Sequence, residues 1–225
     1  MPARKYIVLI VLLTLPVAAW IAGRITGGLS FYRLATPSNF PTISPDSYFF
    51  TTNLCKPQRA DFIVFKVPNE AAPWVFRLVA IAGDTVQLIH GRLFVNRQLV
   101  DTAFHLAHQY LISKEDCKRI QIAPAEENWR LAPFDAEKML WTASEQEFKT
   151  YNLTEAKEFL YPSDFVDEEI RLRWKQNWNP DNFGPVVVPG YQNFVLGDNR
   201  HNALDSRYIG FISDMDIRCI VLNKR

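Results

Sequence analysis

Two short segments of this chain bring hydroxyl and charged groups close together. The first, 36–42, reads Thr-Pro-Ser-Asn-Phe-Pro-Thr and places Ser38 between two prolines. The second, 196–211, reads Leu-Gly-Asp-Asn-Arg-His-Asn-Ala-Leu-Asp-Ser-Arg-Tyr-Ile-Gly-Phe. A serine hydroxyl is a poor nucleophile until a base takes its proton, so Ser38 could attack a carbonyl only beside a neutral base. The alternative is a turn serine without chemistry.

Few side chains could serve as that base. His201 lies inside the second segment and is one candidate, and the alternative there is an exposed loop histidine. Lys66 is more typical of a solvated strand end. The remaining histidines fall in an expected turn or in a region of different character, at positions 90, 105 and 108.

The composition is typical of a chain that can fold, and the overall charge does not indicate nucleic-acid binding. Hydrophobic residues make up 48% of the 225 residues, and the formal net charge is +1. The three cysteines, Cys55, Cys117 and Cys219, lie far apart and lack metal-ligand spacing. We therefore expect no metal, no cofactor and no nucleic-acid partner.

The N-terminus carries the strongest compositional signal. Residues 6–23 are uncharged, Arg4 and Lys5 precede them, and Arg24 follows. The run is at the short end of the roughly 17–25 residues that span a bilayer. The preceding positive charge predicts a cytoplasmic N-terminus at 1–5, an anchor at 6–23 and a domain outside the cytoplasm. The alternative is a secretory signal cleaved near residues 17–19.

Most of the remaining chain reads as short antiparallel strands, after a linker at 24–35. The predicted strands are rich in β-branched and aromatic residues, with a turn at His90-Gly91. They lie at 47–52, 61–67, 74–81, 85–89, 92–96, 186–188, 194–196 and 217–222. From 101 to 185 the composition and the residue pattern change, with a capping box at Ser144–Glu147 and an acidic patch. We predict a mainly β core over 36–100 and 186–225, with an inserted α+β subdomain over 101–185.

Four blocks, in this order, resemble type I signal peptidases. Segment 36–42 is similar to the Ser-x-x-Pro-Thr nucleophile loop, and 59–84 to the strand that carries the lysine base. Segment 83–101 resembles the hairpin that follows. Segment 196–211 is close to the signature Gly-Asp-Asn-x-x-x-Ser-x-Asp-Ser-Arg. The resemblance covers about 1–100 and 186–225, and it implies a barrel-like antiparallel core behind one transmembrane helix.

The resemblance also implies roles for individual residues. Ser38 corresponds to the nucleophile and Thr36 to an auxiliary oxyanion donor. Phe76 occupies the position of the general-base lysine, and Ala203 that of the serine that orients the lysine amine. Moving the alignment by one residue puts Arg77 there, and arginine cannot act as a neutral base.

Other positions depart less from the family pattern. Pro37 stands where a small residue is common, and Asn39 replaces a methionine near the substrate pocket. Four charged positions that form structural ion pairs in the family are present: Arg77, Asp198, Asp205 and Arg207.

Two functions remain open from the sequence. The first is a membrane-anchored serine endopeptidase of the bacterial inner membrane, acting on signal peptides at the outer face with a broken Ser/Lys dyad and little activity. The second is a non-catalytic protein that binds signal peptides or other extended segments, or that is a partner protein of a secretion complex. In both, the lipid bilayer is a partner, and whether the protein is an enzyme is undecided.

Overall fold

The computed structural model describes residues 2–153 and 155–222, without the side chains of 2–4, 7 and 24. The strands are β1 (Ser30–Arg33), β2 (Tyr48–Thr52), β3 (Phe62–Phe65), β4 (Trp74–Ile81), β5 (Thr85–Ile89), β6 (Arg92–Val95), β7 (Gln98–Leu99), β8 (Ala107–Ser113), β9 (Leu131–Pro133), β10 (Lys138–Ser144), β11 (Lys157–Glu158), β12 (Phe183–Val187), β13 (Gln192–Leu196), β14 (Ile212–Ser213) and β15 (Ile217–Val221). The helices are α1 (Pro2–Thr26), α2 (Lys114–Cys117), α3 (Glu127–Arg130), α4 (Glu145–Tyr151), α5 (Glu168–Trp174) and α6 (Ser206–Ile209). Short 3-10 turns lie at Pro37–Asn39, Asp101–Ala103 and Asp214–Asp216.

The main sheet has the strand order β1-β2-β15-β3-β4-β13-β14, with antiparallel pairing throughout. Its central strands are apolar on both faces. In β3, Phe62 and Val64 pack into one core cluster, whereas Ile63 and Phe65 pack into another. This two-sided burial explains why β3 reads as an unbroken apolar run. The prediction of a mainly antiparallel β fold is confirmed.

A smaller sheet with the order β12-β5-β6-β7 packs beside the main one. His90 and Gly91 join β5 to β6 and have φ angles of 48° and 74°. Positive φ at both turn positions suits the two-residue hairpin that matches strand twist. The predicted hairpin turn is confirmed.

A third sheet, β11-β8-β10-β9, lies within the predicted insertion and has its own core. The capping box predicted at Ser144 is confirmed, because its side chain accepts from the Glu147 N–H and Glu147 bonds back. By contrast, Ile170 and Phe183 pack into a core cluster with residues of β4, β5 and β13. The division of the chain at 101 and 185 stays a prediction.

Helix α1 covers the predicted anchor and is longer than it. In the described part of the chain, no helix combines the length and the apolarity that crossing a bilayer requires. The predicted transmembrane anchor at 6–23 is unsupported and stays a prediction.

A buried histidine meets two partly exposed charged side chains where the third sheet meets the smaller sheet. His108 Nδ1 lies 3.1 Å from Glu158 Oε1, and Arg92 Nη2 donates to Glu158 Oε2 at 2.6 Å. Burial lowers the pKa of His108 to about 3, and the charges of Arg200 and Arg92 add to the effect. Burial raises the pKa of Glu158. Neutral His108 is therefore the form that the folded chain holds.

The depressed pKa of His108 predicts acid sensitivity. Below about pH 6.5, the ordinary pKa of histidine, His108 binds a proton in the unfolded chain but stays neutral in the folded chain. The free energy of unfolding therefore falls as the pH drops toward 3. Glu158 acts in the opposite direction, since its raised pKa favours the folded state at low pH. When the pH is lowered from about 7.5 to about 5, the free energy of unfolding should fall in both proteins. We expect the fall to be about 2 kcal/mol smaller in His108→Gln than in wild type.

Urea unfolding at both pH values measures this difference. His105→Gln is the matched control, because His105 is exposed, and it should follow wild type. Identical pH dependence in His108→Gln and wild type contradicts the prediction.

Candidate functional site

Ser38 lies in the 3-10 turn between β1 and β2. Pro37 begins that turn with the φ angle its ring imposes, and Phe40 N donates to Pro37 O at 3.0 Å. Asn39 is buried, and its Nδ2 donates to Val75 O at 2.8 Å. The bond from Asn39 therefore fixes the turn to β4, the strand that carries Phe76.

Ser38 is half-buried, and its hydroxyl has one hydrogen-bond partner among the described residues. Thr36 Oγ1 lies 3.0 Å from Ser38 Oγ, and either hydroxyl can donate. The two predicted hydroxyls therefore meet. A threonine hydroxyl does not take up a proton near neutral pH, so this contact supplies no base.

Phe76 is buried on the face of β4 that turns toward this loop. It is 4% exposed and packs with Phe65 and Trp74, each at 6.2 Å between ring centroids. Ala203 belongs to the same apolar cluster. The lysine and serine positions of the resemblance are therefore adjacent, and both hold hydrocarbon.

Gly197 is the point where these groups converge. A Cβ there would lie 2.5 Å from the Ser38 carbonyl oxygen and 3.4 Å from Phe76 Cε1, and it would overlap Ala203 Cβ. Asn199 N also donates to Ser38 O at 3.0 Å. Only glycine fits this approach, which brings the second segment against the nucleophile loop.

A cavity of about 400 Å³ opens beside Ser38. Its walls come from two extended segments, 32–36 and 72–76, with Leu204 at one side. The lining is mostly apolar, and Thr36 and Ser38 belong to it. The cavity can therefore take an apolar side chain next to the serine.

Two buried ion pairs flank the loop that carries Gly197 and Ala203. Arg77 donates to Asp198 through Nε at 2.7 Å and Nη2 at 2.6 Å, and both side chains are 1% exposed. Arg207 pairs with Asp205 at 2.8 Å, and Asp205 also accepts from Gly197 N at 3.0 Å. These carboxylates hold the loop through its backbone and its side chains.

His201 does not lie in an exposed loop, so that expectation is wrong. Its side chain is 1% exposed, and Nε2 lies 2.9 Å from Asp181 Oδ1. Burial opposes ionisation of Asp181, but the hydrogen bond from His201 brings its pKa below the ordinary value. His201 is thus engaged with Asp181 and makes no hydrogen bond to Ser38. Lys66 is exposed, as expected.

Several residues around the site went unnoticed in the sequence. Asn199 Nδ2 donates to Pro37 O at 3.1 Å, and Arg200 pairs with Asp101. Asn199 lies inside the second segment, where its amide could have been suspected. No sequence motif indicated a role for Asp181, because its partner His201 is distant in sequence. In the described chain, no three His, Cys, Asp or Glu side chains are grouped to hold a metal.

Comparisons with known proteins identify a family for this chain. The sequence model of the family "Signal peptidase, peptidase S26" matches residues 4–221. Signal peptidase I of Buchnera aphidicola subsp. Schizaphis graminum is 25% identical over 72% of this chain and 51% of its own length. Signal peptidase I of Aquifex aeolicus is 27% identical over 80% of this chain and 69% of its own.

This chain thus spans between half and about two thirds of these curated relatives. Among solved structures, a signal peptidase I from Enterococcus faecalis V583 is 21% identical, with a TM-score of 0.36. The match covers 75% of this chain and 98% of that one.

The Arg77–Asp198 pair should be essential for stability. Asp198→Asn leaves a buried guanidinium without its counter-charge, and we expect a loss of about 3–5 kcal/mol. Urea unfolding of the purified protein gives this value. Asp46→Asn is the control, because Asp46 pairs with Arg33 at 2.8 Å where both side chains are exposed, and it should cost at most about 1 kcal/mol. Equal losses in the two variants contradict this account.

Proposed function

The chain belongs to the signal peptidase family, peptidase S26, and from this premise we propose that it binds signal peptides of exported proteins but hydrolyses them slowly or not at all. It acts at the outer face of a bacterial inner membrane, to which α1 attaches it. Its Ser38 and Thr36 keep the nucleophile and oxyanion positions, and Phe76 replaces the base.

The surroundings of Ser38 carry this proposal. The hydroxyl bonds only to Thr36 among the described residues, and the position that the resemblance assigns to the lysine holds the buried ring of Phe76. Loss of a general base costs about 10²–10⁴-fold in rate, and more where the base also activates a nucleophile. His201, the other candidate base, is engaged with Asp181.

The replacement is consistent with the apolar cluster around Phe76. By resemblance to signal peptidases, a serine would orient the lysine amine, and Ala203 occupies the position of that serine in this chain. With both polar groups absent, neither leaves an unpaired partner in the apolar cluster. This mutual fit supports a stable site adapted to the missing base.

Peptide binding is supported by the cavity beside Ser38. Extended segments form two of its walls, and backbone groups of such segments can pair with an added strand while pockets take alternate side chains. The volume of about 400 Å³ exceeds what one small side chain fills.

Attachment to the membrane is supported by the N-terminal segment. Large apolar side chains along α1, such as Leu12 and Leu13, are exposed in the isolated chain. Arg4 and Lys5 precede the uncharged run, which favours a cytoplasmic N-terminus. Only three residues separate α1 from β1, so the site begins a short distance along the chain from the helix.

A second candidate is a non-catalytic partner in a secretion complex. The intact pairs Arg77–Asp198 and Asp205–Arg207 favour it, because they preserve the shape of the site without any base. In this case the groove binds an extended segment of another secretion protein.

Cleavage of a preprotein in detergent tests the proposal. We expect wild type and Ser38→Ala to show equal rates near background, because the serine lacks a base. The combined variant Phe76→Lys with Ala203→Ser should gain cleavage that disappears when Ser38→Ala is added. Brisk wild-type cleavage that Ser38→Ala abolishes contradicts the proposal.

Binding is measured separately with a fluorescent signal peptide. Wild type and Ser38→Ala should bind it equally, since the hydroxyl contributes little contact area. Leu204→Lys, which puts a charge at the side of the cavity, should weaken binding. Absence of wild-type binding removes signal peptides as ligands and leaves the second candidate.

A further inference from the structure

The residue two positions after Ser38 is held by the inserted segment. Phe40 is 8% exposed, and its ring lies 5.2 Å from that of Trp129 in an edge-on arrangement. The Arg130 guanidinium carbon lies 5.0 Å from the centre of the Phe40 ring. Both contacts come from α3, which belongs to neither the main sheet nor the smaller one.

Arg130 is fixed in place by the rest of the insertion. Its side chain is 6% exposed and donates through Nε to Thr142 O at 3.0 Å. Its other nitrogens pair with Glu126 at 3.3 Å and with Glu147 at 2.7 Å. Glu147 also completes the capping box of α4. The Arg130 side chain that contacts Phe40 is therefore held in place by residues of β10 and α4.

The insertion also binds the segment that contacts the Ser38 carbonyl. Ala107 N donates to Asp198 O at 2.9 Å, and Arg200 N donates to Ala107 O at 3.1 Å. Between these two bonds lies Asn199, whose backbone N–H binds the Ser38 carbonyl. The start of β8 thus supports the second segment, which in turn binds the Ser38 carbonyl.

We propose that Trp129 is a positioning residue for the Ser38 loop. With Arg130 it orients the Phe40 ring, so the inserted segment sets where the Ser38 hydroxyl lies and shapes the cavity beside it. The role in peptide binding rests on the proposed function, but the positioning of the loop does not. The insertion is therefore part of the site.

Trp129 is suited to a test because it stands apart from the core of the insertion. It is half-buried, and the buried cluster of that sheet is formed by other side chains, Tyr110 and Trp141 among them. Phe148 offers a matched control: it stacks on Tyr110 with 3.9 Å between centroids. Phe148 is an aromatic contact within the insertion, whereas Trp129 contacts the loop.

The experiment uses the Ser38→Cys protein and measures alkylation of position 38 by iodoacetamide, followed by peptide mass spectrometry. Ser38 is only half-buried, so a loosened loop should expose the thiol more fully and speed alkylation. Adding Trp129→Ala should raise the rate roughly two- to tenfold, the effect of losing one aromatic pair. Trp129→Phe should restore the slow rate, because it keeps a ring against Phe40.

Trp129→Leu provides a second variant that keeps apolar bulk and lacks the ring. It should also speed alkylation, and its circular dichroism should match wild type. Phe148→Ala should leave the rate unchanged. An unchanged rate in Trp129→Leu, or equal acceleration in Phe148→Ala, overturns the positioning role.

Binding of the fluorescent signal peptide separates the two proposals. Weaker binding in Trp129→Ala, with Phe148→Ala unaffected, supports a role of Trp129 in peptide binding, and equal affinity in both rejects it. If wild type binds no peptide, the proposed function fails, and the alkylation rates still decide the positioning role.

Discussion

The close approach at Gly197 is the constraint on which the site depends. It allows the Ser38 carbonyl, Ala203 and the Phe76 ring to meet around one backbone position. An amine in this apolar environment would be neutral near pH 7 and free to take the serine proton, because burial penalises its charged form and lowers its pKa. With an aromatic ring there instead, the same environment is simply well-packed core. The scaffold is therefore compatible with either occupant, and the sequence decides the chemistry.

Buried charges keep this arrangement in place although none of them contacts Ser38. The Asp198 and Asp205 carboxylates each bind an arginine inside the protein. Their partners attach the Gly197 loop to β4 and to α6. Such pairs are costly to break once formed, since a lone buried charge remains. A protein that has lost its base would keep them for folding alone, so their presence says little about catalysis.

Local patterns predicted the core strands well. The predicted strand at 74–81 coincides with β4, because its apolar run is bounded by Pro73 and by the Gly83 turn. β8 and β10 were not predicted. They mix small, polar and aromatic residues, as in Ala-His-Gln-Tyr, and their pairing depends on partners about thirty residues apart.

The site could be predicted only in part. Thr36 and Ser38 are neighbours in the chain, so their contact follows from local geometry. Phe76 and Ala203 are far apart in sequence, and only the family resemblance placed them together. The pair His201–Asp181 and the contact of Trp129 with Phe40 arise from how the insertion folds back, which no local pattern records.

The pH dependence of Ser38 labelling by an alkyl fluorophosphonate tests the central claim most directly. Mass spectrometry of the intact protein follows the reaction, with Ser38→Ala as the blank. Without a base, the slow labelling should rise steadily with hydroxide from about pH 6 to about pH 9, without a plateau. Fast labelling at Ser38 that reaches a plateau near neutral pH would reveal a titrating base beside the hydroxyl and would contradict this account.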